Sequence, residues 1–149
     1  MKLLIGAAIL CASLNAMAAS SPATIKGEFE GNGKISYFTY DAANIGAGAD
    51  YFSSSTGKTR HYDIAIQGIC DDVALYASSD EKNEVVLDGS CTGQGAQVDQ
   101  YIYRWDHQRS AWCLAEEVTG EKADRVSGAH EHLEHSKFKG CTPLGATPD

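Results

Sequence analysis

The clearest strand pattern in the chain is VDQYIYRWDHQRSAWCLAEEV, residues 98–118. Two strand-like runs, Val98 to Trp105 and Ala111 to Val118, are rich in β-branched, aromatic and other apolar residues. The five residues between them, Asp106 to Ser110, match the length of a hairpin loop. The segment therefore predicts two antiparallel strands joined by a short turn.

Aromatic side chains occupy alternate positions of the first run, at Tyr101, Tyr103 and Trp105. Because successive side chains of a strand point to opposite faces, the three rings form one row. An exposed row of this kind is typical of surfaces that stack on sugar rings. We expect instead that the row packs against a second sheet or against Trp112 across the hairpin, since a small domain has few other large residues for its core.

Shorter runs with the same period of two lie upstream of the hairpin, at 35–40, 64–67, 73–77 and 85–87. Clusters of turn-forming residues separate them, at 30–33, 43–57, 78–83 and 89–95. Short strands divided in this way predict an all-β domain with little helix. We expect an antiparallel meander, arranged as a sandwich, a small barrel or a partial propeller.

The N-terminal segment, Met1 to Ala18, has the pattern of a secretory signal peptide. Lys2 precedes the apolar run Leu3 to Leu14, and Ala16 and Ala18 form an A-x-A cleavage site around Met17. The apolar run is too short to span a bilayer. We therefore expect cleavage near Ala18 and a single exported β domain, residues 19–149, in the periplasm or outside the cell.

Four cysteines lie downstream of the leader: Cys70, Cys91, Cys113 and Cys141. An even number of cysteines in an exported chain without a C-x-x-C pair predicts two disulfides. Three connectivities are possible. We favour Cys70 with Cys91 and Cys113 with Cys141, because neighbouring segments of a meander lie close together.

The charge balance and the motifs restrict the function. The formal net charge of −8 disfavours nucleic acid and anionic membranes, which bind basic surfaces, and suits a basic protein partner or simply solubility. The mature sequence has no second apolar segment of membrane length. Because no G-x-S-x-G, H-E-x-x-H or calcium-loop motif occurs, we expect a binding protein without enzymatic activity or cofactor.

The segment 119–135 is the one candidate for helix, but Gly120 and Gly128 interrupt it, so we expect it to be irregular. It contains three of the five histidines, the weak metal-ligand candidates His130, His132 and His135. On a strand His135 points away from the other two, and a catalytic zinc site needs three converging ligands. We expect these histidines to lie on a solvated loop.

A long stretch of small and polar residues, 41–60, reads as a surface loop. Its tip combines aromatic rings with hydroxyl groups: Tyr51, Phe52, Ser53, Ser54, Ser55 and Thr56. A rigid scaffold that presents such a tip can insert it into a partner's cleft, so these six residues are the candidate partner-binding site. The alternative is a disordered surface excursion.

The hairpin with YIYRWD at 101–106 and WCL at 112–114 resembles those of small periplasmic immunity proteins. That family protects bacteria against peptidoglycan-degrading effectors of the type VI secretion system, and periplasmic lysozyme inhibitors act similarly. The resemblance covers mainly residues 64–118 and implies a cleft-plugging loop. It favours a periplasmic inhibitor of a basic cell-wall hydrolase or toxin. The alternative is an exported carbohydrate- or metal-binding module that uses the aromatic row or the histidines.

Overall fold

The computed structural model describes residues 22–64, 73–91, 97–122 and 130–145. Within these ranges the chain forms nine β-strands and one turn of 3-10 helix. The strands are β1 (Ala23–Gly27), β2 (Ser36–Tyr40), β3 (Ala49–Ser53), β4 (Lys58–Tyr62), β5 (Ala74–Ala77), β6 (Glu84–Asp88), β7 (Gln97–Asp106), β8 (Ala111–Glu121) and β9 (His132–Lys137). The 3-10 turn, Ile45–Ala47, precedes β3. None of the described segments is a helix long and apolar enough to cross a membrane.

The strands form two antiparallel sheets. The first sheet has the order β1-β2-β3-β4, and the second has the order β5-β6-β7-β8-β9. Every described strand pairs with its neighbour in sequence within its sheet. The prediction of an antiparallel all-β fold with little helix is confirmed.

The β7–β8 hairpin is the longest pairing and includes both runs expected from the sequence. Trp105 lies opposite Trp112, and the turn occupies 107–110. The carboxylate of Asp106 closes the turn by accepting hydrogen bonds from the backbone N–H of Arg109 at 2.9 Å and from its guanidinium at 2.7 Å. A bulge at Ile102 and Tyr103 shifts the register halfway along the hairpin.

Aromatic rings from both sheets form one core around Trp112, which is fully buried. Its ring lies 5.4 Å from Phe29, 5.3 Å from Phe38 and 5.4 Å from Tyr51, measured between centroids. Edge and tilted contacts at these separations are favourable beyond the area that they bury. Because Tyr103 and Trp105 are buried in the same core, the expectation that the aromatic row packs internally is confirmed.

Two expectations about irregular segments are wrong. The stretch 41–60 is not one loop, since it contains the 3-10 turn, β3 and part of β4. Likewise, β8 continues to Glu121, and His132 to Lys137 form β9. The edge strands β4 and β9 are mostly exposed, so polar side chains occur on both of their faces. Their sequences therefore lack the alternation of apolar and polar residues that identifies a strand. Residues 123–129 lie outside the described part.

The predicted pairing of Cys113 with Cys141 is confirmed, with the two Cα atoms 4.7 Å apart. It fastens the segment 141–144 along β8, where Leu114 N–H donates to Thr142 O at 2.8 Å and Leu144 N–H donates to Trp112 O at 3.0 Å. It is the one disulfide of which both cysteines belong to the described residues. Cys70 lies outside those residues, so its pairing with Cys91 stays a prediction.

Candidate functional site

The turn between β3 and β4, residues 54–57, is the most sharply defined surface feature near the predicted site. The backbone N–H of Gly57 donates to Ser53 O at 2.9 Å, and Gly57 has a φ of +65°. Glycine adopts this left-handed conformation without the steric cost that other residues incur. The Thr56 N–H also donates to the Ser53 hydroxyl at 3.2 Å. These two hydrogen bonds join the end of the turn to its start at Ser53 and so fix its backbone conformation.

A buried carboxylate, that of Glu30, holds the turn from below. Glu30 is 3% exposed and accepts hydrogen bonds from the Tyr51 hydroxyl at 2.8 Å and from the backbone N–H of Ser55 at 2.7 Å. The hydroxyls of Ser54, at 3.3 Å, and of Ser55 also donate to it. A buried acid needs such partners, because an unpaired charge is expensive to remove from water.

The pKa of Glu30 reflects these contacts. Burial alone would raise it, but hydrogen bonds from Ser55, Tyr51 and Ser53 outweigh that effect and lower the pKa to about 2. Burial raises the pKa of Tyr51 well above its usual value, so that its hydroxyl stays protonated and available as a donor. At neutral pH the site is therefore a charged acceptor surrounded by neutral donors.

Two further side chains, Ser36 on β2 and Asn32 in the β1–β2 connection, extend this arrangement. The buried Ser36 hydroxyl donates to the Ser54 hydroxyl at 2.8 Å and accepts from the Ser54 N–H at 3.1 Å. The Asn32 amide donates to the hydroxyls of Ser54 at 3.0 Å and Ser55 at 3.2 Å. We call the whole set the Glu30 network: Glu30, Asn32, Ser36, Tyr51, Ser54 and Ser55.

The structure separates the six residues of the predicted tip. Tyr51 and Ser53 are buried, at 1% and 6% exposure. Phe52 lies on the outer face of the first sheet, where its ring stacks on Tyr37 at 5.0 Å. Ser54 is half-buried, and of the six residues only Ser55 and Thr56 are exposed. The expectation of a protruding aromatic tip is therefore wrong, since Tyr51 fills the core instead.

An open groove of about 420 Å³ lies beside the turn, between β4 and the β7–β8 turn. Three cationic side chains line it: Lys58, Arg60 and Arg109. Three buried aromatic residues also line it: Tyr51, Tyr62 and Trp105. Hydroxyl residues, including Thr56 and Ser110, complete the lining. We call this feature the basic groove.

The histidine candidates do not converge. His130 is exposed, while His132 and His135 occupy positions of opposite parity on β9 and so face opposite sides of the sheet. His135 Nδ1 lies 2.5 Å from a carboxylate oxygen of Glu116, and His132 Nε2 lies 3.7 Å from a carboxylate oxygen of Glu134. Within 22–64, 73–91, 97–122 and 130–145, no group of three or more His, Cys, Asp or Glu side chains is placed to hold a metal ion.

Sequence reasoning missed Glu30, because a glutamate in the cluster EGNG reads as a solvated turn residue. The usable signal is the serine run 53–55, which supplies an unusual density of donors in one place. Comparisons with protein-family models, with curated proteins and with solved structures find no match for this chain.

Proposed function

We propose that the protein is an exported binding protein that inhibits a cell-wall hydrolase by placing the β3–β4 turn in the enzyme's cleft. The observation that carries this proposal is the Glu30 network, which fixes the turn from beneath and leaves Ser55 and Thr56 exposed. Tyr51 and Ser53 are buried and support the turn instead of touching the partner.

A fixed turn suits inhibition because a segment that is ordered before binding loses little conformational entropy when it docks. Several groups hold the turn at once, including the Glu30 carboxylate, the Ser36 hydroxyl and the Asn32 amide. The turn is also short and projects from the junction of two strands, which are more rigid supports than a loop. These properties favour a preformed inhibitory element over a disordered excursion.

The charge of the chain supports a basic partner. At a formal net charge of −8, the protein attracts a basic enzyme over a distance and so raises the association rate at low ionic strength. Export to the periplasm or beyond, where cell-wall hydrolases act, rests on the leader pattern of residues 1–18. Those residues lie outside the described part of the structure.

The aromatic row and the histidines of 130–135 give little support to the alternative of a carbohydrate- or metal-binding module. Tyr103 and Trp105 are 3% and 4% exposed, which leaves almost no ring face for stacking on a sugar. His132 and His135 lie on opposite faces of β9 and so cannot bind one metal ion together from that strand. A module of this class therefore needs a different site.

The test uses the mature protein against a panel of secreted peptidoglycan muramidases, amidases and endopeptidases. We expect inhibition of at least one enzyme with 1:1 stoichiometry, and we expect Thr56→Arg to abolish it by adding bulk at the exposed turn. Thr24→Arg, an identical change at an exposed position of β1, is the matched control and keeps full inhibition. Absence of inhibition across the panel, or equal inhibition by the Thr56→Arg variant, contradicts the proposal.

A further inference from the structure

The basic groove brings three cations together on a chain that is acidic as a whole. The full chain has 12 basic and 20 acidic residues, yet three cations, Lys58, Arg60 and Arg109, line one opening. Lys58 and Arg60 are two positions apart on β4, opposite Ser53 and Tyr51 respectively, and therefore share a face. The groove thus concentrates positive charge on an acidic protein.

Two of these cations form no ion pair with the acids of the described ranges. Within the described ranges, neither Lys58 nor Arg60 lies within 4.0 Å of a carboxylate oxygen. The guanidinium carbon of Arg60 instead lies 5.8 Å from the centroid of the Tyr62 ring, a cation–π contact that orients it. The charges of Lys58 and Arg60 are therefore available to an anion that enters the groove.

The third cation is held in place. Arg109 donates to Asp106 through its guanidinium at 2.7 Å, and its backbone N–H fixes the other carboxylate oxygen at 2.9 Å. The hydrogen bond from the Arg109 backbone, followed by that from its side chain, lowers the pKa of Asp106, so this acid stays ionised and paired. A guanidinium that is positioned in advance costs less entropy when it binds a ligand.

The remaining lining fits a hydroxylated ring better than a bare ion. The groove holds about 420 Å³, within the range of roughly 300–1,000 Å³ of small-molecule sites. Its three aromatic side chains are each at most 6% exposed, but Thr56 and Ser110 offer hydroxyls that both donate and accept. A simple inorganic anion uses only the cations, whereas a sugar acid uses both the cations and the hydroxyls.

We propose that the basic groove binds a small carboxylate-bearing saccharide. Arg60 and Lys58 bind the carboxylate, Arg109 binds a second polar group, and the hydroxyls of Thr56 and Ser110 bind the hydroxyl groups of the sugar ring. Arginine is suited to this role because its planar fork pairs with both oxygens of a carboxylate. The groove shares Thr56 with the β3–β4 turn, but its ligand differs from the proposed protein partner and its test requires no hydrolase.

Two probes that differ by one feature test the proposal. N-acetylmuramic acid has a lactyl carboxylate that N-acetylglucosamine lacks, on the same amino-sugar ring. Titration of each into the ¹⁵N-labelled mature protein, followed by NMR, is expected to shift amides in 56–62 and 109–110 with the acid and to leave them unmoved with the neutral sugar. Equal shifts with both sugars, or shifts confined to other regions, overturn it.

Variants and a third probe complete the experiment. Arg60→Gln is expected to weaken N-acetylmuramic acid binding about tenfold or more, as for loss of a charge-assisted hydrogen bond. Lys26→Gln, an exposed cation on β1, is the control and keeps full affinity. Thermal unfolding checks that Arg60→Gln folds. Inorganic phosphate is expected to bind more weakly than the sugar acid, and equal affinity for phosphate overturns the assignment to a saccharide.

Discussion

The carboxylate of Glu30 accepts a hydrogen bond at 2.7 Å from the backbone N–H of Ser55, which lies 25 residues further along the chain. This bond joins the connection between β1 and β2 to the turn between β3 and β4. Because Glu30 is buried and ionised, the bond forms where water competes little with it. The conformation of the exposed turn therefore depends on a buried residue from a different part of the chain.

Replacement of the Glu30 carboxylate should destabilise the protein. Glu30→Gln keeps the size but removes the charge, and its amide group presents donors to groups that are themselves donors. We expect a loss of about 2–3 kcal/mol in the free energy of unfolding at pH 7, measured by urea denaturation. Glu81→Gln, at an exposed position, is the control and should change stability little. Equal stability of the Glu30→Gln variant and the wild type would contradict this role.

The same carboxylate predicts a pH dependence. Its pKa falls from the usual 4.5 to about 2 in the folded protein. A group with a lowered pKa stabilises the folded state above its unfolded pKa, and this contribution, about 3 kcal/mol, is lost as the pH falls from about 4.5 towards 2. Urea denaturation between pH 7 and pH 2 should show a smaller decline for Glu30→Gln than for the wild type. Parallel declines would show that Glu30 does not titrate in this way.

The hydroxyl of Tyr51 should act through Glu30. Tyr51→Phe keeps the ring in the core and removes the donor at 2.8 Å, which should cost about 1–2 kcal/mol. In a Glu30→Gln background the same change should cost less, giving a coupling energy of about 0.5–2 kcal/mol in a double-mutant cycle. Additive effects in the cycle would mean that the two side chains stabilise the fold independently.

The disulfide between Cys113 and Cys141 should stabilise the C-terminal segment against β8. It links residues 28 positions apart, and loss of a loop constraint of this size costs about 3 kcal/mol in the chain-entropy model. The double variant Cys113→Ala and Cys141→Ala should unfold at correspondingly lower urea. Unchanged stability would indicate that the bonds of Leu114 and Leu144 along β8 suffice to hold this segment.

The sequence predicted the β7–β8 hairpin well because aromatic and other apolar residues occur throughout both strands and alternate with a polar residue near the end of β7. The buried Tyr103 and Trp105 flank the exposed Arg104, and they lie opposite the buried Leu114 and Trp112 of β8. The disulfide between Cys113 and Cys141 was predictable because neighbouring segments of an antiparallel meander lie close together. Features that depend on one hairpin, or on segments that follow each other along the chain, could therefore be predicted from the sequence.

The first sheet was harder to predict because its strands lack that signal. Small residues, Ala49 and Ser53, flank the buried Tyr51 on β3, and most of β4 is exposed on both faces. The candidate site was harder still, since Glu30 meets Ser55 only after three strands have paired. A single sequence contains no record of such a long-range contact.

Hydrogen–deuterium exchange of the mature protein, with and without a hydrolase that it inhibits, tests whether the β3–β4 turn enters the enzyme's cleft. If the turn enters the enzyme's cleft, new protection should concentrate at residues 54–58, with little change along β9. Protection confined to other surfaces, with unaltered exchange at 54–58, would contradict the assignment of the turn as the inhibitory element.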